Sequence, residues 1–296
     1  MQRYLHRFAD EAQQRRFLPP LLAGEGTAAI AMTEGGVGSD LARMATTARR
    51  VGAAYVLDGE KTWVTHGLVA DLFVILARTE AGLTRFLVPG DTPGLHREAL
   101  PTVGLRHLGF ARLVLTGCEV PATLRLGAEG EGLKGAKAAF PIARVLAGLQ
   151  AVRIAQAALD IARDYTARHV AGSPLSSSTL VQHGCASLSA RCQAAHLLCL
   201  RAAARLDADE AVEDSSAAKA LAVELAQDAC RWTEDLLGSS SLVATHALLA
   251  LAADARMMAV VDGTAVLNHF VVARRRLGRE EGREHGRRDG REGSAA

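Results

Sequence analysis

A glycine-rich stretch near the start of the chain has residue types that could hold a phosphate or a heteroaromatic ring. The stretch Ala31–Asp40 contains glycines at positions 35, 36 and 38, flanked by hydroxyl side chains and a carboxylate. Backbone N–H groups and hydroxyls in such a loop can bind an anion. The spacing is not the GxGxxG of dinucleotide-binding folds, so it does not indicate a Rossmann fold. An ordinary glycine turn is the alternative that this stretch leaves open.

A second stretch, Asp58–Gly67, presents an aromatic ring near a hydroxyl. Its Asp58-Gly59 pair lies between two apolar segments and predicts a hairpin turn. Because side chains alternate along a strand, we expect Trp63 and Thr65 on one face of the second strand. An indole and a hydroxyl side by side could pack on a flat cofactor and hydrogen-bond to it. The alternative is an aromatic pair across two strands in the core.

Composition and charge exclude several classes of protein. The 296 residues are 49% hydrophobic and 22% charged, with a formal net charge of +2. This predicts a folded chain of about two domains, without the basic face that binds nucleic acid. No apolar run reaches the roughly 18 residues of a membrane span, and the first residues lack a secretory signal pattern. We therefore expect a cytoplasmic protein without nucleic-acid or membrane partners. The five cysteines lack zinc-site spacing, so we expect no structural metal.

The hydrophobic pattern divides the chain into regions of different secondary structure. Residues 1–22 predict a short amphipathic helix that ends at Pro19-Pro20. Short apolar runs separated by Gly and Pro predict a β domain over residues 27–128. Helical periodicity from about Leu133 predicts a bundle over residues 129–277, with a last helix starting near Thr264. The Gly- and charge-rich residues 278–296 predict a disordered tail.

Taken together, the glycine-rich stretch and the Trp63 stretch strongly resemble two signatures of the acyl-CoA dehydrogenases, a family of flavoproteins. The segments that carry the resemblance follow one another in the family's order: Ala31–Glu34 with Gly38–Asp40, Leu57–Thr65, Tyr165–Arg168 with Gly172–Leu175, and Asp254–Arg256 with Asp262–Thr264. The resemblance implies an α+β fold in which a middle β-barrel or sandwich domain precedes a C-terminal helical bundle. About thirty residues precede the first signature. We therefore expect the family's N-terminal helical domain to be mostly missing, with residues 1–26 as its remnant.

The resemblance also implies a reaction, the FAD-dependent α,β-dehydrogenation of an acyl thioester. The acyl group would be carried by CoA or by a carrier protein. Asp262 would remove the proton α to the carbonyl while the β-hydride passes to flavin N5. A thioester α-proton is only weakly acidic, so the carbonyl oxygen needs hydrogen-bond donors and the base needs a raised pKa.

Further site residues are implied by the matched positions. The implied cofactor contacts are Met32 in the first signature, Thr33 and Thr65 on the isoalloxazine, Trp63 packed against it, Ser39 near the phosphates, Arg168 reaching the FAD of a neighbouring subunit, and Thr264 at a helix start. Arg144 and Gly263 would border the substrate. The implied partners are an electron-acceptor protein and further copies of this chain in a homodimer or homotetramer, or a related chain in a heteromer.

The chain departs from the family pattern at several matched positions. Asp262 stands where the family usually has Glu. Because Asp is shorter by one methylene, its carboxylate is drawn back towards the backbone. Gly35 replaces a Pro, Ala171 replaces a Phe, and Gly238 is the one glycine kept from a glycine-rich loop. A misplacement near 1 Å can cost roughly a hundredfold in rate. Alternatives are therefore a catalytically impaired or non-catalytic subunit of a heteromeric dehydrogenase, and a flavin monooxygenase on the same scaffold. For Asp262 itself, a simple Asp-Gly turn is the alternative.

Overall fold

The computed structural model describes residues 1–36, 43–168, 170–171, 173–207 and 211–278. Within the chain, contacts separate two compact units, residues 1–140 and 141–296. Ser39 of the glycine-rich stretch and nearly all of the predicted tail lie outside the described residues. The predicted order of a β domain followed by a helical bundle is confirmed.

The first unit is built on a sheet of eight strands. Its helices are α1 Gln2–Phe8, α2 Glu11–Ala23 and α3 Gly132–Lys137. Its strands are β1 Ala28–Ala31, β2 Thr47–Val51, β3 Ala54–Val64, β4 Leu72–Thr79, β5 Gly82–Pro89, β6 Leu95–Ala99, β7 Ala111–Pro121 and β8 Arg125–Leu126. The strand order is β6-β7-β3-β2-β4-β5-β8, and β1 pairs in parallel with β4. β3 is therefore an interior strand, between β2 and β7.

The N-terminal helices cover part of this sheet. Tyr4 and Leu5 of α1 join the buried apolar cluster that contains Phe73 and Phe86 of the sheet. Gln13 of α2 is buried, and its amide donates to the carbonyls of Thr123 and Arg125 at 2.9 Å each. Apolar burial and these two hydrogen bonds fix α2 to the β domain.

The prediction that a helix ends at Pro19-Pro20 is wrong. α2 continues through both prolines to Ala23 and ends at Gly24, which is left-handed with a φ of +74°. A proline inside a helix removes one backbone hydrogen bond and leaves a carbonyl one turn earlier without its usual donor. Both prolines, and the two arginines four residues before them, are exposed, so water can reach those carbonyls.

The prediction of a hairpin at Asp58-Gly59 is also wrong, because β3 runs without a break from Ala54 to Val64. Asp58 lies at a β-bulge, where two residues of β7 oppose it, and its carboxylate accepts from the N–H of Gly117 at 2.7 Å. Gly59 has a φ of +138°, and a Cβ there would lie 2.7 Å from the Cα of Thr46. The Asp-Gly pair serves close strand packing, while the hairpin forms at residues 52–53, between β2 and β3.

The second unit is helical. Its helices are α4 Phe140–Arg168, α5 Thr179–Ala204, α6 Ala211–Leu237, α7 Ala247–Met258 and α8 Ala265–Arg276, and two short strands, β9 Val170–Ala171 and β10 Ser173–Pro174, lie between α4 and α5. α6 contacts α5, α7 and α8. The predicted start of a helix near Thr264 is confirmed, since Thr264 is the N-cap of α8.

Among the described residues, α4 is the one helix long and apolar enough to cross a membrane. Because more than half of its most apolar stretch is buried inside the fold, it is weak evidence for a membrane span. Buried core helices pass the same test of length and composition.

Candidate functional site

The turn between α7 and α8 presents the Asp262 side chain. Asp262 has a backbone φ of +53° and Gly263 one of +94°. Asp is among the few residues that tolerate the left-handed region, and Gly is free to adopt it. The side chain is partly buried, and its carboxylate accepts no hydrogen bond from any described residue. The turn therefore holds a carboxylate whose lone pairs are available to accept a proton.

Three buried polar side chains from three other helical segments hold this turn. Each donates to main-chain carbonyls rather than to the carboxylate. The contacts are Lys219 Nζ to the carbonyls of Gly263 at 2.6 Å and Ala259 at 3.2 Å, Arg144 Nε to the carbonyl of Asp262 at 3.2 Å, and Asn268 Nδ2 to the carbonyls of Gly263 and Thr264 at 3.0 Å each. The backbone on both sides of Asp262 is thereby fixed.

The electrostatics of this cluster suit a general base. Burial raises the pKa of the Asp262 carboxyl, although the charges of Lys219 and Arg144 act in the opposite direction. Burial likewise lowers the pKa of Lys219 to about 8 and lowers the pKa of Arg144. A carboxylate whose pKa is raised is a stronger base than a free one.

Lys219 and Asn268 are absent from the residues expected on sequence grounds. No sequence pattern points to Asn268, because its amide donates to carbonyls of a turn whose shape is visible only in the structure. Lys219 does give one: it is one of four lysines in the chain and stands in an Ala-rich helical stretch. Its side chain is fully buried. A lone Lys on the buried face of a helix indicates a specific acceptor.

The N-cap of α8 is Thr264, whose Oγ1 accepts from the backbone N–H of Leu267 at 3.2 Å. We expect Thr264→Val to lower the free energy of unfolding of the helical unit by about 1 kcal/mol, because the cap hydrogen bond is lost. Urea unfolding followed by Trp232 fluorescence in a Trp63→Phe background measures the change. Thr264→Ser keeps the oxygen and is expected to retain the cap. Equal destabilisation by Ser and Val would contradict a capping role.

In the first unit, Trp63 lies at a bulge near the end of β3. Two residues of β3, Thr62 and Trp63, oppose one residue of β7. Trp63 has a φ of +58°, and its indole is 53% exposed and lies edge-on to the Phe110 ring at 6.2 Å. A bulge re-aims a side chain out of the regular alternation. The indole therefore offers an accessible flat surface and is not part of a core aromatic pair.

The glycine-rich stretch and the Trp63 stretch contact each other beside this bulge. The N–H of Thr62 donates to the carbonyl of Thr33 at 2.8 Å. Thr65 is exposed one residue beyond the end of β3, so the bulge, not simple alternation along one strand, leaves both Trp63 and Thr65 exposed. Met32 packs against a small buried apolar cluster that includes Met44. Thr33, Trp63 and Thr65 thus come from adjacent segments of the first unit.

A buried ion pair that the sequence patterns do not predict ties these segments together. Lys61 Nζ donates to a carboxylate oxygen of Glu34 at 2.7 Å, and both side chains are buried. Glu34 also accepts from the backbone N–H groups of Ala45 at 2.6 Å and Thr46 at 3.0 Å. Burial raises the pKa of Glu34, but these hydrogen bonds outweigh it and the net pKa is lowered. Burial lowers the pKa of Lys61 to about 8.

Two other residues were expected to contact the cofactor, Arg168 and Ser39. Arg168 is the last residue of α4, and its side chain is exposed. Ser39 lies outside the described residues. An exposed guanidinium at a helix end is accessible to a phosphate or a second chain.

The chain matches two family models over most of its length. Residues 29–118 match the model described as acyl-CoA dehydrogenase, middle domain, and residues 130–277 match the acyl-CoA dehydrogenase C-terminal domain. The chain is 32% identical over 275 residues to the short-chain specific acyl-CoA dehydrogenase of mitochondria from Rattus norvegicus. This alignment covers 90% of the chain and 67% of the relative.

Solved structures give the same result. Butyryl-CoA dehydrogenase from Megasphaera elsdenii superposes with a TM-score of 0.90 at 27% identity, covering 93% of the chain and 74% of that protein. A glutaryl-CoA dehydrogenase from Mycobacterium smegmatis, in complex with FADH2, superposes with a TM-score of 0.87 at 30% identity, covering 94% and 72%.

Proposed function

The chain belongs to the acyl-CoA dehydrogenase family of oxidoreductases that act on CH–CH donors, and from this we propose that it catalyses the FAD-dependent α,β-dehydrogenation of an acyl thioester. The observation that carries the proposal is the Asp262 carboxylate. It is partly buried, its pKa is raised, and no described residue donates a hydrogen bond to it. This is the state that a base needs to remove a carbon-bound proton.

We propose that Asp262 removes the proton α to the thioester carbonyl. The backbone around it is fixed by donors to its own carbonyl and to that of Gly263. The backbone that carries the carboxylate is therefore held in place while the carboxylate gains a proton, which favours general-base catalysis. Gly263 belongs to this same turn and Arg144 of α4 donates to it, and we propose that both residues border the thioester there. The acyl carrier is CoA or a carrier protein, since both present the same thioester.

We propose that the first unit holds the isoalloxazine ring of FAD. The residues fit this group: Trp63 offers an exposed flat indole, Thr65 an exposed hydroxyl, and Thr33 lies in the adjoining segment. Met32, Ser39, Thr264 and Arg168 complete the proposed cofactor contacts, Arg168 towards a neighbouring subunit. FAD, when bound, supplies the acceptor for the β-hydride. The chain's own contribution is to orient the ring and to hold the base.

The proposed partners follow from the same family membership. Reduced flavin must be reoxidised, so we propose an electron-acceptor protein as one partner. A second copy of this chain, in a homodimer or homotetramer, is the other, because Arg168 is exposed at a helix end and available to a second subunit.

The visible absorption spectrum of the purified protein, before and after incubation with FAD and desalting, tests the proposal. We expect a retained flavin band that bleaches when an acyl-CoA is added without oxygen. Trp63→Ala is expected to weaken FAD retention about tenfold, because the packing surface is lost. Trp232→Ala, at the other tryptophan of the chain, is the matched control and should leave FAD retention unchanged.

Three other outcomes would contradict the proposal. A protein that stays colourless favours a non-catalytic subunit that needs a partner chain. A protein that holds FAD but is not bleached by any thioester tested excludes acyl-thioester dehydrogenation by this chain. Thioester-independent oxygen consumption by the loaded protein favours the monooxygenase alternative.

A further inference from the structure

We propose that Lys219 is a positioning residue for Asp262: it fixes the backbone on both sides of the carboxylate and places a positive charge beside it. The inference deepens the proposed dehydrogenase reaction and rests on it for its kinetic consequence. Its structural basis is independent of that reaction, because it lies in contacts within the helical unit. Lys219 belongs to α6, whereas Asp262 lies in the turn between α7 and α8.

The hydrogen bonds of Lys219 bracket the residue that presents the carboxylate. Its Nζ donates to the carbonyl of Ala259, three residues before Asp262, and to that of Gly263, the next residue. One ammonium therefore joins the C-cap of α7 to the residue that precedes the N-cap of α8. Because Asp262 is a non-glycine residue with a φ of +53°, outside support helps the turn to keep this conformation.

Burial of Lys219 is unfavourable unless the ammonium serves a specific purpose. Its side chain is fully buried in a helix whose neighbouring buried positions are mostly apolar or small. A buried ammonium loses its hydration, and two carbonyls compensate only part of that loss. An apolar side chain of similar length would pack there without this penalty. The geometry of the two carbonyl contacts points to the turn as the reason.

The charged groups that act on the Asp262 carboxylate come from two helices. Among the described residues these are Lys219 from α6 and Arg144 from α4, and α8 contributes the neutral amide of Asn268. Both cations lower the pKa of Asp262, against the effect of burial. Removing Lys219 is therefore expected to raise that pKa. A base is active only above its pKa, so the acid limb of the pH–rate profile should move to higher pH.

The pKa of Lys219 itself sets the upper end of the pH range in which its charge acts on Asp262. Burial lowers that pKa to about 8, Asp262 opposes the change, and Arg144 adds to it. Below pH 8 the ammonium is present and favours the ionised carboxylate. Above pH 8 it loses its proton in the native protein. The difference between the native protein and a variant without Lys219 should therefore be largest in acid and shrink above about pH 8.

The test compares Lys219→Met with the native protein in two measurements. In anaerobic bleaching of the FAD-loaded protein by an acyl-CoA, we expect the acid limb to move up by about one pH unit, the usual effect of a nearby opposite charge. In NMR titration of the protein labelled at the aspartate carboxyl carbons, we expect the same upward shift for Asp262. Asp262→Asn identifies the resonance, and this measurement needs neither FAD nor substrate.

Two further variants and one further observation on the native protein complete the test. Lys219→Gln keeps an N–H donor without the charge, so it should share the pH shift of Lys219→Met while remaining better folded. Arg191→Met removes a cation from an exposed ion pair with Asp228 and should shift nothing. In the native protein, the Asp262 resonance should show a second, smaller transition near pH 8, a result that needs no variant.

Each result supports or overturns the proposal. Equal loss of rate at all pH values in both Lys219 variants, with an unchanged Asp262 titration, would reduce Lys219 to a purely structural role. If the Asp262 titration is unchanged in the Lys219 variants and shows no transition near pH 8 in the native protein, the proposed charge effect is overturned. Failure of every thioester to bleach the native protein refutes the dehydrogenase function, while the NMR titration still decides the role of Lys219.

Discussion

Asp262→Asn is expected to slow bleaching of the FAD-loaded protein by an acyl thioester about a thousandfold, the usual contribution of a general base. The amide is nearly isosteric with the carboxylate but cannot accept the α-proton. Asn also tolerates a φ of +53°, so the turn and its hydrogen bonds should persist. Stopped-flow measurement of flavin absorbance without oxygen gives the rate. An unchanged melting temperature and FAD content would show that the loss is chemical.

Two comparisons separate this result from the alternatives. Asp262→Glu restores the methylene that the family usually has, although Glu is less suited to the left-handed backbone than Asp. It is expected to remain far more active than Asp262→Asn, because the carboxylate is kept. If Asp262→Asn bleaches as fast as the native protein, Asp262 is not the base. If the native protein and Asp262→Asn are both bleached slowly by the thioester and consume oxygen at the same rate, the result favours the monooxygenase alternative.

Lys61→Met is expected to lower the free energy of unfolding of the β unit by about 3–5 kcal/mol, because it leaves the buried Glu34 carboxylate without its cation. The loss should be pH-dependent. Hydrogen bonds lower the net pKa of Glu34, so its favourable contribution is present above its unfolded pKa and lost as pH falls through its folded pKa. The native protein should therefore lose part of its advantage over the variant in acid.

Urea unfolding followed by Trp63 fluorescence, in a Trp232→Phe background, measures this loss in the β unit. The double variant Glu34→Gln with Lys61→Met removes both charges and is the control. It should be less destabilised than Lys61→Met alone, because no unpaired charge is left in the core. If the double variant is as unstable as the single one, lost packing rather than an unpaired charge explains the effect.

Much of the fold could be predicted from the sequence. The change from strand to helix patterns near Leu133 matches the start of α3 at Gly132, and the helix predicted to start near Thr264 is α8, whose N-cap is Thr264. These features depend on local period and spacing, which a single sequence records.

The errors arose where a distant segment decides the local structure. Asp58-Gly59 has the composition of a hairpin turn, but Thr46 and Gly117 make it a bulged continuous strand. Prolines that usually end a helix are tolerated in α2 because that side faces water. Lys61 and Lys219 each find their partners far away in the sequence, at Glu34 and Gly263. No local pattern contains such information.

The backbone at Trp63 and Asp262 also constrains how this protein can change. Four non-glycine residues among the described ones have positive φ, and these are two of them. At each, glycine would relieve about 1 kcal/mol of strain while removing the indole or the carboxylate. Stability and the proposed activity thus favour different residues at both positions. Selection for a more robust fold alone would erase the surface proposed to hold the flavin and the base proposed to act beside the thioester.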